Sequence, residues 1–324
     1  MRVAQPLVGG LLFAVVVVVA ARQWSDVRHT IGHLSPLALA LSVALAVAGV
    51  FASSLTWRAL LGELGSHISR HAAVRIYLIG QLGKYLPGSV WAFVIQMELG
   101  RRAGVRGSRT LASAFAAVGV NLVVGLTIGL LAVAPVAAGS WATWVSVLVI
   151  LPLGVVAVLP PVLTREINLL LRIVRRPQLE RPISWRGVGI AGSWSAVGWL
   201  TYGLALWVLV VSSHDASRDG LAVCLGVVPL AMTAGFLVVV APSGIGVREA
   251  ALVAGLAPIL PAGPALAIAL VLRVVFTAAD VLAAALTLLP LRGADVPPLR
   301  HRFRLRDDVG SSARGVPRQR EISR

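Results

Sequence analysis

Gly83-Lys84-Tyr85-Leu86-Pro87-Gly88-Ser89-Val90-Trp91 and Ala241-Pro242-Ser243-Gly244-Ile245-Gly246-Val247-Arg248-Glu249 are the stretches on which the reading of this chain turns. Each is a proline–glycine break carrying charge within a long apolar surround. A bilayer offers no water to satisfy broken backbone hydrogen bonds, so such breaks survive only where they line a protein-enclosed site or cavity. Two broken segments in one chain point to the place where a transporter would bind its cargo.

The surround decides the class. The 324 residues are 57% hydrophobic and 13% charged, with mean hydropathy +0.87. Val3–Ala21, Leu34–Trp57, Leu111–Ala134, Trp141–Leu163, Val188–Val211, Leu221–Ala241 and Ala265–Leu289 each approach or exceed the ~20 residues needed to cross a bilayer. Val247–Leu260 is shorter and would span only if tucked inside. The expectation is an all-α polytopic transmembrane helix bundle of about seven or eight spans, with re-entrant or broken helices at 76–97 and 241–262. Continuous apolar runs, rather than alternation, exclude a β-barrel. Met1-Arg2 and the run after it resemble a secretory signal, but the run is long and more spans follow, so it is read as a retained first helix. Cys224 is the single cysteine, which leaves no disulfide framework within the chain.

A net charge of +16 invites a nucleic-acid reading. The distribution argues against one, because the arginines cluster between apolar runs, where they report orientation. With the N-terminus inside and 76–97 re-entrant, the inner segments hold Arg2, Arg58, Arg70, Arg75, Arg101, Arg102, Arg106 and Arg109. They also hold the arginines between Arg165 and Arg186 and those from Arg292 to Arg324, whereas the outer loops hold only Arg22, Arg28 and Arg218. Both termini come out cytoplasmic if Val247–Leu260 crosses, in a bacterial plasma membrane. Residues 1–290 form the membrane domain, and 291–324 form a basic tail expected to be disordered and suited to anionic lipid. Thr164–Gly187 and Arg58–Arg75 read as helices lying on the membrane surface.

The candidate chemistry sits in and around the breaks. Lys84 is the only lysine, and Pro87-Gly88-Ser89 restarts a helix whose first N–H groups suit a phosphate or carboxylate. Trp91 follows that break and is placed to meet a lipid chain. In the second break Ser243, Gly244 and Gly246 allow close backbone approach. Arg248 would face an anionic head group there, with Glu249 orienting it, taking a proton, or pairing with another helix. Arg273 and Asp280, seven residues apart in the last span, lie on one face about 10 Å apart, too far for an ideal pair. Burying each charge costs roughly 2.5–3.5 kcal/mol, so both should face the bundle interior. Candidate partners are Glu249 or Glu98 for Arg273, and Lys84 or Arg248 for Asp280. Asn121 reads as an interhelical hydrogen bond. His67 and His71 have i, i+4 spacing on the expected surface helix but lack a third metal ligand. No nucleotide-binding, zinc-protease or polyprenyl-diphosphate motif is present, and no cofactor is implied.

On these two motifs, extended to Gly80-Gln81-Leu82 before the first and Ala250-Ala251 after the second, the chain resembles the lysylphosphatidylglycerol synthase transmembrane region, or flippase-like, family. The P-x-G-x-G-x-R-E pattern is the more specific, and the resemblance covers roughly residues 5–290. It implies a module that moves an aminoacylated phospholipid between leaflets, without the soluble domain that performs aminoacyl transfer. The chain departs from the family where Val90-Trp91 follows Ser89 in place of a Gly–Glu pair. The expectation is a non-enzymatic translocase for an anionic phospholipid or lipid-linked phosphate intermediate. It would have membrane lipids as partners and no nucleic acid. The alternatives are a membrane-embedded transferase acting on polyprenyl-phosphate substrates, using Glu63, Glu98 or Glu249, and an accessory subunit of a cell-envelope complex.

Overall fold

The structure, a computed structural model, describes residues 24–86, 90–134, 141–175, 177–179, 182–214, 219–237 and 246–288. All lie in the first of two units, Met1–Leu289, the other being Pro290–Arg324. The expected first span, Val3–Ala21, and the basic tail fall outside the described residues.

Every described element is helical. In chain order they are α1 (Trp24–His33), α2 (Pro36–Glu63), α3 (Arg70–Gln81), a single 3-10 turn (Leu82–Tyr85), α4 (Trp91–Arg102), α5 (Gly107–Val133) and α6 (Trp141–Val158). There follow α7 (Pro160–Ile173), α8 (Trp185–Ser213), α9 (Gly220–Leu237), α10 (Val247–Leu256) and α11 (Ala262–Leu286). Four of these, α2, α5, α8 and α11, are long and apolar enough to cross a membrane, and the bent pair α6–α7 makes up to five. The molecule is therefore a multi-pass membrane protein.

The remaining expected spans take other forms for physical reasons. Trp141–Leu163 is not one straight helix. Pro160 and Pro161 force the preceding Leu159 into extended geometry, φ −56 and ψ 133, and the chain turns by 72° there. In α9, the apolar stretch Gly220–Phe236 is shorter than the other spans. α10 has 10 residues, about 15 Å at ~1.5 Å per residue, and cannot cross on its own. Arg58–Arg75 is not a surface helix either. Its first turns complete α2, with Trp57, Leu60 and Leu61 in the core, and the helix stops at Gly65, whose φ of +74 favours glycine. His67 accordingly sits in the connecting loop and His71 in α3, so their helical spacing is broken.

α2 and α8 form the most extensive helix interface. Gly49 lets the Tyr202 ring approach so closely that a Cβ there would fall 2.4 Å from Cε1. Ser42 Oγ donates to the carbonyl of Ala205 at 2.9 Å and Thr56 Oγ1 to that of Ala191 at 3.3 Å. Small residues and buried hydroxyls are what hold helices together where the surroundings are as apolar as the side chains. Asn121 plays the expected part, accepting from Ser195 Oγ at 2.7 Å, while its backbone carbonyl accepts from Trp199 Nε1.

Arg109 Nη1 donates to the Gly65 carbonyl at 2.9 Å, and the Ser184 N–H donates to Glu63 Oε2 at 3.0 Å. These bonds bring the end of α2 together with the starts of α5 and α8. α2 thus runs opposite to both, and Arg58, Arg70, Arg106, Arg109 and Arg186 collect at one end of the bundle. The apolar interior has two packing centres. One gathers α2, α3, α5 and α7 with the end of α11, and the other most of α8, α9, α10 and the rest of α11.

Candidate functional site

The first break is a helical hairpin. α3 tightens into the 3-10 turn Leu82–Tyr85, and after residues 87–89 the chain returns as α4. Gly83 makes the hairpin possible. A Cβ there would lie 2.6 Å from the backbone nitrogen of Ala92, so only glycine lets the turn and the start of α4 come this close. The turn presents Lys84 and Tyr85 to α11. Lys84 Nζ lies 2.6 Å from Asp280 Oδ2, and the Tyr85 hydroxyl donates to the same oxygen at 2.6 Å. Asp280 is 3% exposed and Lys84 39%, so the carboxylate depends on these donors while the ammonium also reaches outward.

The second break opens α10. Gly246 takes φ +87, its N–H donates to Glu249 Oε2 at 2.7 Å, and Glu249 Oε1 accepts from Arg273 Nη1 on α11. One carboxylate therefore caps a short helix and ties it to its neighbour, which meets the preference for negative charge at a helix N-terminus. Arg248 turns toward α9 and passes over Gly235, where a Cβ would fall 2.4 Å from Arg248 Cγ. Arg248 Nε is buried and has no hydrogen-bond partner among the described residues.

These groups share a cavity of about 80 Å³, lined by Lys84, Tyr85, Arg248, Glu249, Arg273 and Asp280 with apolar walls that include Met232, Leu252, Leu272 and Phe276. Holding one water takes roughly 10–15 Å³ of such space, so there is room for a small polar group and not for a whole lipid. Two carboxylates face three cations, leaving one positive charge in excess. Lys84 and Arg273 each have a carboxylate, and Arg248 presents the unsatisfied donor.

The structure selects among the expected pairings: Arg273 meets Glu249 rather than Glu98, and Asp280 meets Lys84 rather than Arg248. Glu98 lies at the surface, bonded to Arg101 and Arg102. Glu249 pairs across to α11 and not with its neighbour Arg248. Trp91 is exposed and does not line the cavity. Pro87, Gly88, Ser89, Ser243 and Gly244 fall outside the described residues. Glu63, Glu98 and Glu249 are engaged at three separate places, and no cluster of three metal-ligating side chains forms among the described residues. Sequence reasoning missed Tyr85 and Gly235. The tyrosine was legible as a donor beside the only lysine, whereas the glycine had no signal, since its role depends on a neighbouring helix.

The chain matches the family model for the lysylphosphatidylglycerol synthase TM region over residues 6–284. It belongs to that family. No curated protein matches the chain. The matched range spans both breaks and all the cavity-lining residues, so the site lies within the lysylphosphatidylglycerol synthase TM region and the protein is an integral membrane protein of a lipid-handling family.

Proposed function

We propose that this protein is a non-enzymatic, flippase-like translocase that carries an anionic phospholipid or lipid-linked phosphate across a bacterial plasma membrane. The observation that carries the reading is the gathering of Lys84, Arg248 and Arg273 with Asp280 and Glu249 around one cavity, from two broken segments and a spanning helix. A phosphate entering it would be met by Arg248, whose guanidinium offers paired N–H donors suited to such oxygens. The acyl or prenyl chains would stay in the bilayer, since only a head-group fragment fits the cavity. Lys84 and Arg273 would exchange carboxylate for phosphate as the head group passes, so that no cation is left bare in the hydrocarbon. The arginine-rich end of the bundle would face the cytoplasm, with both termini there and an even number of crossings once the 3–21 segment is counted.

The test is lipid movement in vesicles containing the purified protein and a fluorescent anionic phospholipid. Arg248→Ala is expected to abolish movement while the protein remains folded and monodisperse. Unchanged movement would refute the assignment of Arg248 as the head-group contact.

A further inference from the structure

A second, larger cavity lies away from the central site, at the arginine-rich end of the bundle. It encloses about 480 Å³ between the last turns of α2, the loop that follows, and the first turns of α8. That volume is in the range of small-ligand sites, roughly 300–1,000 Å³. Arg58, His67 and Arg70 line it on the polar side, and Ile190 and Trp194 on the other. Arg58 Nε is buried with no hydrogen-bond partner among the described residues, although a buried N–H donor ordinarily finds an acceptor. The carboxylate on this wall, Glu63, is engaged elsewhere. Its Oε2 accepts from the Ser184 N–H at the start of α8, in a space left by Gly187, where a Cβ would fall 2.2 Å from Glu63 Cγ. Glu63 is thus fixed to the helix start and leaves Arg58 to something else. Ile190 and Trp194 are more than a third exposed on a membrane-crossing helix, so the cavity opens beside a surface that acyl chains cover.

We infer that this cavity is a phospholipid site separate from the central one. The head-group phosphate would sit on Arg58 and Arg70, and an acyl chain along Ile190 and Trp194. The site draws on the leaflet at the arginine-rich end and does not require that the protein translocate lipid. An anionic head group such as phosphatidylglycerol suits it better than a zwitterionic one, because two guanidiniums face a single, already bonded carboxylate.

The test is native mass spectrometry of the full chain in detergent, titrated with phosphatidylglycerol, phosphatidylcholine or inorganic phosphate. Arg58→Gln should lower phosphatidylglycerol affinity about tenfold or more, the scale of one charge-assisted hydrogen bond. The same loss should appear in an Arg248→Gln background, which separates this site from the central one. Arg70→Gln, a change at an exposed position, should weaken binding in the same direction and stands in if Arg58→Gln fails to fold. Inorganic phosphate at matched concentration should not displace the lipid. Equal binding of phosphatidylglycerol by the wild type and by these variants would overturn the proposal. So would displacement of the lipid by inorganic phosphate, which would mark a free-anion site, or equal affinity for phosphatidylcholine.

Discussion

Replacing Lys84 with methionine removes one of two donors from a carboxylate that is only 3% exposed. Breaking a fully buried ion pair from one side costs about 3–5 kcal/mol, because the remaining charge is stranded. Tyr85 still donates to Asp280 Oδ2, and Lys84 is 39% exposed, so the lower end applies, about 3 kcal/mol. The opposite change, Asp280→Leu, leaves an ammonium that can turn outward, and should cost nearer 1 kcal/mol, as for pairs with solvent access. The double replacement Lys84→Met/Asp280→Leu strands no charge and should recover most of the loss, giving a coupling of about 2–3 kcal/mol, within the usual range for contacting residues. Unfolding titrated with denaturing detergent and followed by tryptophan fluorescence measures all four corners of the cycle. Lipid movement is then read on the same four proteins. If Lys84 meets the head group, the double variant is stable and inactive. A double variant that is both stable and fully active would mean that the pair merely locks the hairpin to α11, and the transport role of Lys84 would fall. A symmetric cost for the two single changes would refute the burial argument.

Gly235→Ala should displace Arg248 without replacing any charged residue, because its Cβ would fall 2.4 Å from Arg248 Cγ. The expected cost is about 1–3 kcal/mol from overpacking, with loss of lipid movement in the vesicle assay. Gly83→Ala should destabilise by a similar amount or more, because its clash is with the backbone of Ala92, whereas Gly32→Ala, with open space around it, should not; thermal unfolding of the pair measures the contrast. Asn121→Ala should lose the Ser195 hydrogen bond and cost about 0.6–1.7 kcal/mol in detergent-induced unfolding, with lipid movement retained.

The site was legible in the sequence where burial of charge left few options. Arg273 and Asp280 had to find partners within an apolar chain that holds few acids and one lysine, and spacing ruled out each other. The short candidate lists therefore contained Glu249 and Lys84. Asn121 followed from the same logic. The fold was less legible where periodicity did not reveal a break. Leu60, Leu61 and Leu64 mark an apolar face in α2 and in a surface helix alike, so the stop at Gly65 went unseen. Pro160-Pro161 announced a bend, yet hydropathy averaged across it and suggested a straight span. Arg58 looked like a topology marker because every arginine beside an apolar run does. Its unsatisfied nitrogen emerges only once α8 is packed against α2.

α11 belongs to both packing centres. Residues up to Ala279 join the second, and Ala283 and Ala284 join the first. Asp280 sits in the short interval between them, clasped by donors from the hairpin on one side while Arg273, less than two turns back, is clasped by α10 on the other. The final helix is thus a shaft set in two bearings, with a charged collar at the changeover. Rocking one half of the bundle against the other would load that shaft, and the ion pairs of the collar would have to yield first.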